Sequence, residues 1–150
     1  MVTTSLGAKE DEIMNWNRFL WASLAVFLVR KGLDYFIDTY ILMRDYKKLD
    51  ILRPDVMSTV WLMFVVGALV SLLFTYIFIK GREGKGIQEG VRFGIIVWLF
   101  VTVPAGLGAW MLFPLPLSLV TKWILNGLFL NLASGIIAAA IYRPAVPANS

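Results

Sequence analysis

The chain contains neither cysteine nor histidine. Without thiols it has no disulfide and no thiolate nucleophile. Without either residue it also lacks the soft ligand sets that zinc, copper, haem iron and iron–sulfur clusters prefer. Charge is scarce as well, at 16% of residues against 59% hydrophobic, a balance that suggests lipid as the solvent. No Ser-His-Asp or paired-carboxylate constellation is present, and "GREGKG" has neither the spacing nor the Ser or Thr of a phosphate loop. The expectation is therefore no enzyme, no catalytic residue, no metal and no cofactor. The net charge of +4 does not point to nucleic acid, because the basic residues stand at the ends of apolar runs, where they orient membrane proteins.

What is present is a series of apolar runs of bilayer-spanning length. Met57 to Ile79 carries no charge at all. Phe93 to Phe113 includes Pro104, which predicts a kink that neighbouring helices must re-satisfy, and "FPLPL" ends it. Leu119 to Tyr142 interrupts its apolar surface with Asn126, Asn131, Ser134 and small residues. A first span runs from about Phe19 to Met43, some 37 Å at 1.5 Å per residue. The polar opening segment with its "EDE" cluster predicts that this first run is retained rather than cleaved as a signal peptide. The fold class expected over residues 1–150 is thus a single all-α membrane domain, a bundle of four transmembrane helices.

Seven basic loop residues (Lys9, Arg18, Lys80, Arg82, Lys85, Arg92, Arg143) fall on one side of this layout and five (Arg44, Lys47, Lys48, Arg53, Lys122) on the other. The positive-inside bias then places both termini in the cytoplasm. "KGREGKGIQEG" reads as a flexible cytoplasmic turn. "RDYKKLDILRPD" reads as a loop with a short amphipathic helix stopped before Pro54.

The anomaly is "VRKGLDYFIDTY", which sets Arg30, Lys31, Asp34 and Asp38 inside the first span. At about 100° per residue from Arg30, Asp34 falls near 40°, Asp38 near 80° and Lys31 near 100°, with Asp45 near 60° and Ser23 near 20°. All lie on one face, at spacings that allow Arg30–Asp34, Lys31–Asp34 and Asp34–Asp38 to meet. Four unpaired charges at mid-bilayer would cost on the order of 10 kcal/mol, so this face must turn toward protein or water. Asn126, Asn131, Thr102, Ser71, Thr75 and tyrosine hydroxyls are the partners available. Such a stripe fits a structural cluster that locks or docks helices, an ion or proton path through Asp34 or Asp38, or charges that snorkel to the interface.

Small residues recur at four-residue spacing: Gly67 and Ser71; Gly90 and Gly94; Ala105 and Ala109; Asn131, Gly135 and Ala139. This spacing lets helices approach closely, either within the bundle or in self-association. Trp16, Trp21, Tyr40 and Trp110 sit where interfacial belts are expected.

Together, "VRKGLDYFIDTYIL", "GVRFGIIVWLFVTVPAGLGAWMLFPLPLSL" and "KWILNGLFLNLASGIIAAAIY" make the chain resemble a group of small, uncharacterised bacterial four-helix integral membrane proteins. The resemblance covers roughly residues 19–142. It implies four spans and a bacterial inner membrane, and it carries over no catalytic residue. Members of the group often hold a hydrophobic residue where Arg30 stands and a polar residue such as His where Asp38 stands, so the charges here depart from the pattern. The resulting expectation is an accessory or scaffold subunit of a larger membrane complex, embedded in the lipid bilayer, which docks on other membrane subunits or on itself through the charged face of the first helix. A small oligomeric transporter or proton-coupled channel using the intramembrane carboxylates is the alternative.

Overall fold

The computed structural model describes residues 14–49 and 54–142, and among them the regular structure is helical throughout, without strands. Of the loop charges named above, Lys9, Arg53 and Arg143 lie outside the described residues. Helix α1 runs Trp16–Ile37, passes through a π-helical turn, Asp38–Leu42, and continues as Met43–Leu49. Its start is fixed by Asn15, whose side chain accepts the Arg18 N–H at 3.1 Å, satisfying one of the open donors of the first turn. Helix α2 is Val56–Lys80. Helix α3 runs Ile87–Val97, then a π-helical turn, Trp98–Thr102, then Val103–Leu112. Helix α4 is Leu117–Ile141, entered from Pro116 in extended conformation.

Helices α2, α3 and α4 are each long and apolar enough to cross a membrane. Helix α1 is not among them, since every 18-residue stretch of it holds at least three charged residues. The all-α expectation and four helices are thus seen, with three spans meeting the length-and-composition requirement. Helix α1 also extends past its expected end at Met43, because "RDYKKL" continues it as far as Leu49.

The two π-helical turns explain where the α-periodic expectation fails. A π turn absorbs one extra residue, so everything after it is rotated by about one position. In α3 the widened turn lies just before Pro104, which has no N–H to give; the Val103 N–H reaches the Trp98 carbonyl five residues back. The helix then continues past the proline, and the small residue turned inward is Gly106, packed on Ile124, while Ala105 is exposed.

Helix α4 is the axis, with α1 and α3 packed along it. Helices α3 and α4 meet at their backbones: a methyl group at Gly90 would strike the Gly135 carbonyl, one at Gly135 the Gly90 carbonyl, and one at Gly94 the Asn131 backbone. The two small-residue faces expected from the sequence therefore pack on each other inside the bundle. The hydrophobic centre, Val26, Phe74, Phe78, Ala138 and Ala139, joins α1, α2 and α4. Phe93 of α3 closes onto it with ring centroids 4.9 Å from Phe74 and 5.5 Å from Phe78.

At this end Tyr142 ties three segments together. Its hydroxyl accepts the Asn15 N–H at 3.2 Å, its carbonyl accepts from Arg82 at 2.7 Å, and the Arg82 guanidinium lies over its ring. The α2–α3 connection, expected as a flexible turn, is built around Glu89. That carboxylate is buried and accepts the N–H groups of Glu83 and Lys85, while Gly84 and Gly86 supply the positive φ angles. Glu83 in turn contacts Lys85 at 2.6 Å and Arg92 at 2.7 Å, and these partners hold its carboxyl below the usual range.

Candidate functional site: a charged groove between α1 and α2

Helix α2 is packed along only half its length. Its buried residues, Ser71, Phe74, Thr75 and Phe78, all belong to the second half. The first half has none; Leu62 is 46% and Val66 50% exposed. Between this half and α1 lies an open groove of about 480 Å³, walled by α2 from Thr59 to Val70 and lined on the α1 side by Arg30, Lys31 and Asp34.

The charged stripe divides among three neighbours. Arg30 turns to α4, where one terminal nitrogen, Nη1, donates to Asn131 Oδ1 at 3.3 Å and to Ser134 Oγ at 3.2 Å. Both acceptors are held in place: Asn131 Nδ2 donates to the Gly127 carbonyl at 2.7 Å and to Thr102 Oγ1 at 3.3 Å, and Ser134 Oγ donates to the Leu130 carbonyl at 2.6 Å. This network is neutral. It orients the guanidinium without cancelling its charge.

Lys31 turns to α2. Its stem fills the space left by the missing side chain of Gly67, and its ammonium stands 5.9 Å from the Phe64 ring centroid, within cation–π reach. Gly67 is therefore a seat for a lysine rather than a point of helix–helix backbone contact. Asp34 Oδ2 lies 3.8 Å from Lys31 Nζ, an ion pair too long for a hydrogen bond, with the side chains 33% and 24% exposed respectively. Among the described residues it is the one ion pair within the stripe.

Asp38 follows Asp34 by one regular helical turn and accepts from the Tyr46 hydroxyl at 3.4 Å. Eight residues of unbroken α-helix turn through about 800°, some 80° beyond two full turns. The π-helical turn between the two residues removes most of that offset and brings Tyr46 over Asp38. The same rotation takes Asp45 off the stripe, where an unbroken helix would have placed it, and gives it to Lys122 of α4 at 2.6 Å. Trp123 Nε1 donates to Tyr46 at 3.0 Å beside this pair.

The other expected partners do not reach the charges. The Ser71 hydroxyl donates to its own helix at the Gly67 carbonyl, and Ser23 Oγ, Thr75 Oγ1 and Asn126 Oδ1 are buried without a partner among the described residues. Sequence reasoning noted Ser134 as a polar interruption of the fourth span but not as a partner of the charges, although it lies three residues after Asn131 on the same face of α4. It counted tyrosine hydroxyls among the available partners without singling out Tyr46, and it missed the contacts of Trp123 and Lys122, for which α-helical periodicity holds no signal. Compared with family models, curated proteins and solved structures, the chain matches none of them. The candidate site is therefore the groove: two cations and one carboxylate, set in apolar walls, beside a helix left half unpacked.

Proposed function

We propose that this chain is a bacterial inner-membrane protein that crosses the bilayer four times, with both termini in the cytoplasm, and serves as an accessory or scaffold subunit of a larger membrane complex. Docking takes place on the charged face of α1, at the groove shared with α2. The observation that carries this reading is the unpacked first half of α2 beside Lys31 and Asp34. A charge facing lipid at the bilayer centre costs about 2.5–3.5 kcal/mol on insertion scales, so a second polypeptide in the groove removes a standing cost. Crossing by α1 is supported by the hydrogen bonds that α4 gives Arg30, which lower the cost of inserting it.

The test is gentle solubilisation of the full chain from its own membrane at native expression. A Leu62→Cys variant, in a chain with no other cysteine, should cross-link to a defined second protein from the groove wall, and the chain should migrate as part of a larger particle. A free monomer with no adduct would remove the basis of the proposal. Proton or ion uptake by liposomes holding the purified protein, lost in Asp34→Asn with Asp38→Asn, would instead favour the transport alternative.

A further inference from the structure

Resting on that docking reading, we infer that the groove accepts a transmembrane helix bearing one acidic side chain, which meets Lys31 and Arg30 at the depth of Gly67. Three observations point to this partner.

The first is the hydrogen-bond inventory. Arg30 has five N–H donors, and among the described residues its contacts engage Nη1 alone. Lys31 has three, and its nearest carboxylate oxygen is 3.8 Å away. Among the described residues Asp34 is the single carboxylate lining the groove, and the α2 wall contributes no charge. Asp38 stands one helical turn beyond Asp34 and does not line the groove, and the acceptors on α4 are neutral. The groove therefore holds a surplus of donors and a net charge of +1, two cations against one carboxylate, so its complement is an acceptor with negative charge.

The second is depth. Gly67, against which Lys31 lies, stands near the middle of Val56–Lys80. At 1.5 Å per residue the ends of that helix are about 17–20 Å away along its axis. A phospholipid headgroup stays at the interface, whereas a transmembrane helix carries a side chain to this depth at no further cost. A second copy of the chain would bring the same +1 surplus and set four cations against two carboxylates.

The third is the shape of the wall. Thr59, Leu62, Met63, Val66 and Val70 recur at i, i+3, i+4, i+7 and i+11, one face of a helix left without a neighbour. This is the pattern that receives another helix lengthwise.

The experiment uses the full chain in phosphatidylcholine vesicles, labelled through Val65→Cys, which is exposed and does not line the groove. The probes are synthetic leucine–alanine transmembrane peptides of about 20 residues with a central Glu, Gln or Lys, and energy transfer to the label reads binding. The Glu peptide should bind at least tenfold more tightly than the Gln peptide, with the Lys peptide weakest. Lys31→Gln should abolish the preference, Lys31→Arg should keep it and Lys31→Glu should reverse it in favour of the Lys peptide. Equal binding of the Glu and Gln peptides to the unaltered chain overturns the inference, as does a Glu preference that survives Lys31→Gln. Energy transfer between two labelled copies that excludes the Glu peptide, or protection of the label by phosphatidylglycerol that does so, overturns it in favour of those occupants. A cross-linked native complex indifferent to these charges would sink this inference alone. A chain that runs alone from its own membrane yet prefers the Glu peptide would sink the docking reading and support this one.

Discussion

Adding one methyl group at Gly135 tests the α3–α4 contact directly. Replacing a helical glycine by alanine ordinarily stabilises a helix by about 1 kcal/mol. Gly108, in α3, shows that case: nothing lies within 4 Å of where its Cβ would stand, so Gly108→Ala should stabilise by that amount. At Gly135 the same propensity gain meets the Gly90 carbonyl, and at Gly90 the Gly135 carbonyl. Overpacking costs about 1–3 kcal/mol where side chains can yield, and a backbone obstacle between two long helices places the cost at the upper end. The net expectation for Gly135→Ala is destabilisation of about 2 kcal/mol, roughly thirtyfold in the unfolding equilibrium, with Gly90→Ala similar. Unfolding by sodium dodecyl sulfate in mixed micelles, followed by tryptophan fluorescence, measures it; Trp98 donates to the Ile124 carbonyl at 2.8 Å across this same interface. If Gly135→Ala stabilises the protein as Gly108→Ala does, the two backbones are not in contact and the reasoning fails.

Asn131→Leu removes an acceptor from Arg30 and a donor from Thr102, and should cost about 1–3 kcal/mol in the same assay; Ser71→Ala, which breaks only a bond to its own helix, should cost less. In the α2–α3 turn, the lowered Glu83 carboxyl contributes order above the ordinary carboxylate pKa and loses it as pH falls through its own, lower value. Hydrogen exchange over residues 82–92 should therefore be faster in Glu83→Gln than in the unaltered chain at neutral pH. That difference should persist through the usual carboxylate range and vanish only below it; a difference independent of pH would refute the assignment.

Much of the helical layout was legible because the last three apolar runs are long, nearly free of charge and bounded by Pro, Gly or charge. Gly90, Gly94 and Gly135 were legible as close-packing positions for the same reason that they work: the four-residue spacing keeps them on one face. Arg30, Lys31 and Asp34 were rightly grouped, since no irregularity falls between residues 30 and 34. The grouping failed at Asp45, which lies beyond the π-helical turn that rotates the helix, and at Ala105, for which Gly106 substitutes beyond the second such turn. Partner choice was harder to read. Arg30 bonds Asn131 and Ser134 but not Asn126, which lies further along the helix pair beside Ile37 and Ile41, a matter of level along α4 rather than of composition.

The widened turns also set how this chain can be altered by deletion. Each is in effect a residue added to an otherwise regular helix, so removing any one amino acid between Trp98 and Thr102 would let hydrogen bonding close into an ordinary spiral. The distal part of α3 would then keep the face it now presents, with Gly106 still against Ile124, because the residue lost is the one the widened turn had absorbed. A single lost codon there would erase the widened turn yet leave both the hydropathy profile and the packed faces of the helix in place.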